Sequence, residues 1–292
     1  MNLEALILLV LKMSIVLSVF ALGLKATFAD ATYLFRHPRE LGRAFLSMNV
    51  LMPLLAVALV MTFSLHPAVK IALVALAVSP VPPFFPKKAI KVGGKDDYSV
   101  GLLVATAVLA IAVIPLTMEI FERIGSLPLQ MPARSVAALV LTTVLVPLLI
   151  GIALRAMAPA LAERAAKPVA ILATVLLVLS VLPVFFGSIR TVLSLIGDGT
   201  LLSFVGFALI GYTLGDLLGG PEPENRRVLA LATASRHPAI AVAIAHANFP
   251  QQKLAVPAIV LYLIVSGIVT GLASKRNRAG SAPTETERRM AA

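Results

Sequence analysis

The chain has no cysteine, and only 13% of its 292 residues are charged. Without cysteine there is no disulfide, no thiolate metal site and no cysteine nucleophile. Charged residues make up about 25% of an average soluble domain, so this chain is not built for water. The charge it does carry is unbalanced, with 25 Lys and Arg against 14 Asp and Glu and a net charge of +11. An excess of that size suits nucleic acid, but these cations sit in loops between apolar runs, where membrane topology accounts for them. No nucleotide loop, metal-ligand cluster or nucleophile–base pair is visible in the sequence. No cofactor, no metal, no nucleic-acid partner and no enzymatic activity is therefore expected.

What is abundant is apolar sequence. Hydrophobic residues make up 59% of the chain, and the mean hydropathy is +0.96. A membrane span needs about 20 apolar residues. The pattern predicts an all-α polytopic membrane protein in contact with lipid, with nine transmembrane helices at 4–28, 41–65, 67–91, 97–122, 132–157, 166–187, 191–218, 224–249 and 251–273. Helices six and seven are separated only by the short link Gly187-Ser188-Ile189-Arg190. The first run does not read as a signal peptide. It opens on Met1-Asn2-Leu3-Glu4, Lys12 interrupts it, and it is too long for an h-region, although Ala29-Asp30-Ala31 resembles a cleavage site.

An odd number of spans puts the termini on opposite sides. With the C-terminus inside, the cytoplasmic loops and tail hold seventeen basic residues, among them Arg36, Lys87, Arg155, Arg226 and Lys275, and the outer loops hold five. The positive-inside rule then predicts the N-terminus outside and the C-terminus in the cytoplasm, in the cell (inner) membrane. The polar tail at 274–292 reads as disordered.

Two spans are interrupted. The third contains Ser79-Pro80-Val81-Pro82-Pro83-Phe84-Phe85-Pro86, and four prolines so close together do not continue an α-helix. The eighth contains Arg236-His237-Pro238. In register, Ala75-Leu76-Ala77 matches Ala230-Leu231-Ala232 and Pro83 matches Pro238, at an offset of 155. The two spans lie five helices apart, so they cross the membrane in opposite directions. An inverted repeat with broken helices in matching positions is a signature of secondary transporters, whose substrate site lies at the crossing. Arg236 lies nine residues beyond Arg227, or about 13 Å at helical rise, near the middle of a slab roughly 30 Å thick.

At these residues the sequence resembles the bile acid:sodium symporter family, over roughly 15–273. The resemblance rests on Leu22-Gly23-Leu24, on Arg36-His37-Pro38-Arg39 before a helix with Met52-Pro53-Leu54, and on Ser79-Pro80 at the first break. It ends with a broken helix followed by a final span. It implies a core domain containing two crossed broken helices, and a panel domain, in a nine-helix version that lacks the first helix of ten-helix members. On that reading 1–28 is a panel helix and 29–130 is core with broken helix 67–91. Panel helices follow at 131–190, and 191–273 is core with broken helix 224–249. The resemblance implies sodium symport of an organic anion. The chain departs from the family, however, where relatives bind sodium. A Gly-Gly-Thr-Ser-Ser-Asn-like stretch is replaced by Val81-Pro82-Pro83-Phe84-Phe85-Pro86, and the Glu, Gln and Asn of the second break are replaced by Ala232, Arg236 and His237.

The expected function is a secondary transporter of a small organic anion, working by alternating access. The missing ligands predict that it is sodium-independent, coupled to protons or uncoupled. Two alternatives stay open: a sodium-coupled symporter using other ligands, and a channel-like or sensory protein on the same fold. A charge at membrane depth usually has a task. Arg236 is expected either to lock the crossover through the free carbonyls of the broken helices or also to face the anion. His237 is expected to be a neutral packed residue, with proton coupling as the other reading. Lys87 and Lys88 follow the first break, and Lys12 lies within the first span. Ser79, Asn49, Thr233 and Ser235 offer hydrogen bonds. Pro80, Pro82, Pro83, Pro86 and Pro238 are read as the residues of the helix breaks.

Overall fold

The computed structural model describes residues 3–125, 133–197 and 199–279, and these are helical, without a strand. Helix α1 is Leu3–Gly23, followed by two short turns, α2 (Phe28–Ala31) and α3 (Tyr33–Arg36). The next span is α4 (Pro38–Phe45), a π segment (Leu46–Leu51) and α5 (Met52–Thr62). The first broken helix is α6 (Pro67–Val78) and α7 (Phe85–Lys91). Then come α8 (Asp96–Gly125), α9 (Ala133–Val140), a second π segment (Leu141–Leu145) and α10 (Val146–Met157). Helices α11 (Pro159–Ser194) and α12 (Thr200–Leu218) precede the second broken helix, α13 (Pro223–Ala234) and α14 (Pro238–Asn248). The last is α15 (Ala255–Ala279).

Among the described residues six segments are long and apolar enough to cross a membrane, and Leu9–Gly23 and Pro67–Val78 are shorter apolar helices. Two boundaries differ from expectation. The link expected at 187–190 is helical, and α11 runs on to Ser194 before the chain turns. In an apolar environment no water competes for the backbone hydrogen bonds, so Gly187 and Ser188 are tolerated inside a helix. The tail expected from 274 is still helix through Ala279. The rest of that tail, with Arg288 and Arg289, lies outside the described residues, as does the segment 126–132.

The prolines divide by position. Pro80, Pro82 and Pro83 lie between α6 and α7, but Pro86 is in the first turn of α7 and Pro238 in the first turn of α14. Proline is at home there, because the first N–H groups of a helix have no internal partner. Pro86 and Pro238 therefore start the second halves rather than break the first. Pro53 and Pro147 each lie two residues past the end of a π segment, as the second residue of the α-helix that follows. A proline removes the N–H that the carbonyl four residues earlier would use, and the helix widens there by one residue.

Helices α1, α10 and α11 pack on one another. A Cβ on Gly23 would sit 2.4 Å from the carbonyl oxygen of Leu148, so α1 and α10 meet backbone to backbone. A larger apolar cluster joins α5, α6, α8, α12, α14 and α15 through Met52, Leu76, Ile114, Phe207, Ile244 and Tyr262. The second broken helix is the most buried of the six spans: 78% of the apolar window in Pro223–Asn248 is buried, against 33–56% in the other five.

Candidate functional site

The two breaks meet. Each leaves unpaired carbonyls at the end of its first half and unpaired N–H groups at the start of its second. The backbone N–H of His237 donates to the carbonyl of Pro80 at 2.8 Å, joining one break directly to the other. Around this joint α6 packs on α14 and α7 packs on α13, so the first half of each helix faces the second half of the other.

Arg236 lies in this joint and is 1% exposed. Its Nη1 donates to the carbonyl of Ser79 at 3.2 Å, just past the C-terminal end of α6. Nη1 and Nη2 both point at the carbonyl of Met48 at 3.4 Å. The end of a helix carries a partial negative charge, and Met48 lies in the π segment, where a carbonyl is released from the regular ladder. The guanidinium thus sits among backbone oxygens. Among the described residues the ion pairs are Lys95–Asp97, Arg123–Glu119 and Arg226–Asp216, and none includes Arg236. Its Nε is buried without a partner.

The other free carbonyl has its own donor. Tyr262 Oη of α15 donates to Ala234 O, the last residue of α13, at 2.7 Å. His237 caps α14, with Nδ1 accepting from the N–H of Ile240 at 3.4 Å. An accepting Nδ1 places the proton of the neutral ring on Nε2, which is buried and unpartnered. Thr233 Oγ1 meets Ser47 Oγ at 2.8 Å, which ties α13 to the π segment. Ser79 Oγ turns back to Leu76 O at 2.9 Å, so it is the backbone of Ser79 that serves Arg236.

Of the residues singled out in the sequence, Arg236, His237, Ser79, Thr233 and Ser235 are brought together and buried. Pro80 joins them through its carbonyl. Asn49 is half-buried and takes no part in the bonds to Arg236. Lys87 and Lys88 lie apart from the joint, on α7. Lys87 Nζ reaches Thr174 Oγ1 of α11 at 3.3 Å, and Lys88 Nζ reaches Thr270 Oγ1 of α15 at 3.0 Å. Lys12 is exposed on α1. Met48, Ser47 and Tyr262 escaped sequence reasoning. The signal for Met48 was Pro53, since a proline inside a span announces a released carbonyl about one turn earlier, whereas Ser47 takes part through its hydroxyl.

Fold and site together define a helical, multi-pass membrane protein in which two broken helices meet around a buried cation. Residues 12–195, more than half of the chain, match the Sodium Bile acid symporter family, and the chain belongs to that family. The resemblance read from the sequence is borne out, and the match includes the first break but ends before the second. Among curated proteins nothing matches the chain.

Proposed function

We propose that this protein is a secondary transporter of a small organic anion and that Arg236 is a resident cation at the crossover, in the place where sodium-coupled relatives hold a mobile one. On this reading transport is sodium-independent, and the protein is a carrier rather than an enzyme. The observation that carries the proposal is the guanidinium of Arg236, buried among the carbonyls of Met48 and Ser79 with no carboxylate within ion-pair distance among the described residues. Sodium is a hard cation that needs a cage of oxygens. A guanidinium that already donates to those oxygens satisfies the same carbonyl dipoles with a covalently attached charge.

The anion follows from the family's name and from the cations. Lys87 and Lys88 stand on the second half of the first broken helix, facing α11 and α15. In the core-and-panel division α11 is panel and α15 is core, so the seam between them is the cleft through which a substrate reaches the crossover. Two ammonium groups there favour an anion. Arg236, sealed at 1% exposure, holds the crossover in shape and adds its field to that cleft. The two broken helices form an inverted repeat that rocks against α1, α10 and α11. His237 caps α14 as a neutral ring and does not carry the coupling proton.

Uptake of radiolabelled organic anions into vesicles, with and without a sodium gradient, tests this directly. Equal uptake in sodium and in choline media is expected. Uptake that disappears without sodium would refute the resident-cation reading.

A further inference from the structure

A site of another kind lies on the face of α12 and α15. A groove of ≈ 500 Å³ runs between them, lined by Val205, Leu209, Tyr212, Asp216, Val269 and Leu272. Its volume falls in the roughly 300–1,000 Å³ range of small-ligand pockets. It is open along its length to the outside of the helix bundle, where Leu209 is 48% and Leu272 63% exposed, with Leu202, Leu217 and Ile268 beside them. On a membrane protein such a face meets hydrocarbon, not water.

Two properties say what fills it. The first is polarity along its axis. Val205 and Leu209 are at one end, and Asp216 is at the other, two residues before α12 stops at Leu218. There the Asp216 carboxylate accepts from Arg226 Nη2, and Arg226 Nε donates to the carbonyl of Asp216 at 3.2 Å. Lys275 of α15 is exposed on the same side. The groove is therefore amphipathic end to end. The second property is length. From Val205 to Asp216 the helix rises about 16 Å, against about 15 Å for one leaflet of a hydrocarbon core roughly 30 Å thick.

We propose that this groove seats one acyl chain of a phosphoglyceride, with the lipid phosphate at the Asp216–Arg226 end. The lipid is a bound structural partner and not the transported anion, because the groove lies between α12 and α15 and includes none of the residues of the crossover or the lysine cleft. A helix from a second copy, about 10 Å across, does not enter a slot of this volume, whereas a single chain does. The inference rests on the membrane location alone and stands or falls separately from anion transport.

The protein has no tryptophan and no cysteine, so single reporters can be placed without background. Leu209→Trp puts an indole in the groove, and Leu179→Trp puts one on the exposed face of α11 as a control. In nanodiscs made with phosphatidylethanolamine brominated on one acyl chain, both indoles are expected to be quenched. On dilution into detergent, Leu209→Trp is expected to stay quenched at lipid levels where Leu179→Trp has fully recovered. Adding Arg226→Gln to the Leu209→Trp protein should release the lipid at several-fold lower detergent. Recovery of both indoles together overturns the proposal. Failure of Leu209→Trp to be quenched in the bilayer overturns it too, as does a disulfide formed between copies of Leu209→Cys. Retention of a brominated fatty acid as tight as that of the phospholipid overturns the phosphate assignment. Because an indole itself takes up space in the groove, native mass spectrometry of the unmodified protein provides the second measurement. One retained phosphoglyceride per chain is expected, and none would sink the idea.

Discussion

The two breaks do the same thing to a helix by opposite chemistry. The first, from Ser79 to Phe84, is rich in proline and carries no charge. Proline has no N–H, so this break offers an excess of acceptors, and Ser79 O and Pro80 O are both used. The second, from Ser235 to His237, is rich in donors: the Arg236 fork and the His237 N–H supply what the first break lacks. One break is a surplus of carbonyls and the other a surplus of N–H groups, and they neutralise each other across the joint. In an apolar interior each group left unpaired would cost several kcal/mol, so neither break is stable without the other.

That complementarity can be broken in steps. The largest effect is expected from Arg236→Ala, which leaves the carbonyls of Met48 and Ser79 unpaired and opens a cavity. Truncating a large buried side chain with its hydrogen bonds costs about 3–5 kcal/mol. A strongly lowered melting temperature in detergent and loss of uptake should accompany it, and retained uptake would remove Arg236 from the joint. Arg236→Lys separates charge from geometry. An ammonium keeps the charge but not the planar fork, so uptake about tenfold below wild type is expected, with stability between the wild type and Arg236→Ala.

Smaller effects sharpen the comparison. Tyr262→Phe removes the donor to Ala234 O and should cost about 1–3 kcal/mol, read as a melting shift of a few degrees with no change in substrate preference. Ser47→Ala removes the cross-link to Thr233, whose hydroxyl keeps only its bond to Leu229 O, and should cost about 1 kcal/mol. The smallest effect belongs to His237→Asn. Asparagine is a good N-cap, so both stability and the pH profile of uptake should stay close to wild type. A pH profile that flattens in this variant would show that the histidine titrates during transport and would reject its role as a neutral cap.

The architecture was largely legible in the sequence, because apolar runs and clustered prolines report directly on spans and breaks. Arg236 and His237 stood out as polar residues in an apolar helix, and both lie at the joint. Less legible were features carried by the backbone. Met48 contributes only its carbonyl oxygen, and its own side chain gives no sign of that role. Prolines were over-read as breakers, since Pro86 and Pro238 suit the first turn of a helix as well as its interruption. Gly187-Ser188 looked like a link because in water it would be one. Lys87 and Lys88 read from the sequence as neighbours of the first break, but their ammonium groups reach sideways to α11 and α15.

Gly215 has a mechanical consequence. A Cβ there would sit 2.4 Å from the carbonyl of Leu229 and 2.6 Å from the Cα of Ala230, so α12 lies on α13 with no side chain between them. Two rods in such contact do not slide without lifting apart. The front half of the second broken helix is in effect bolted to α12 near Gly215, so the two behave as one rigid piece.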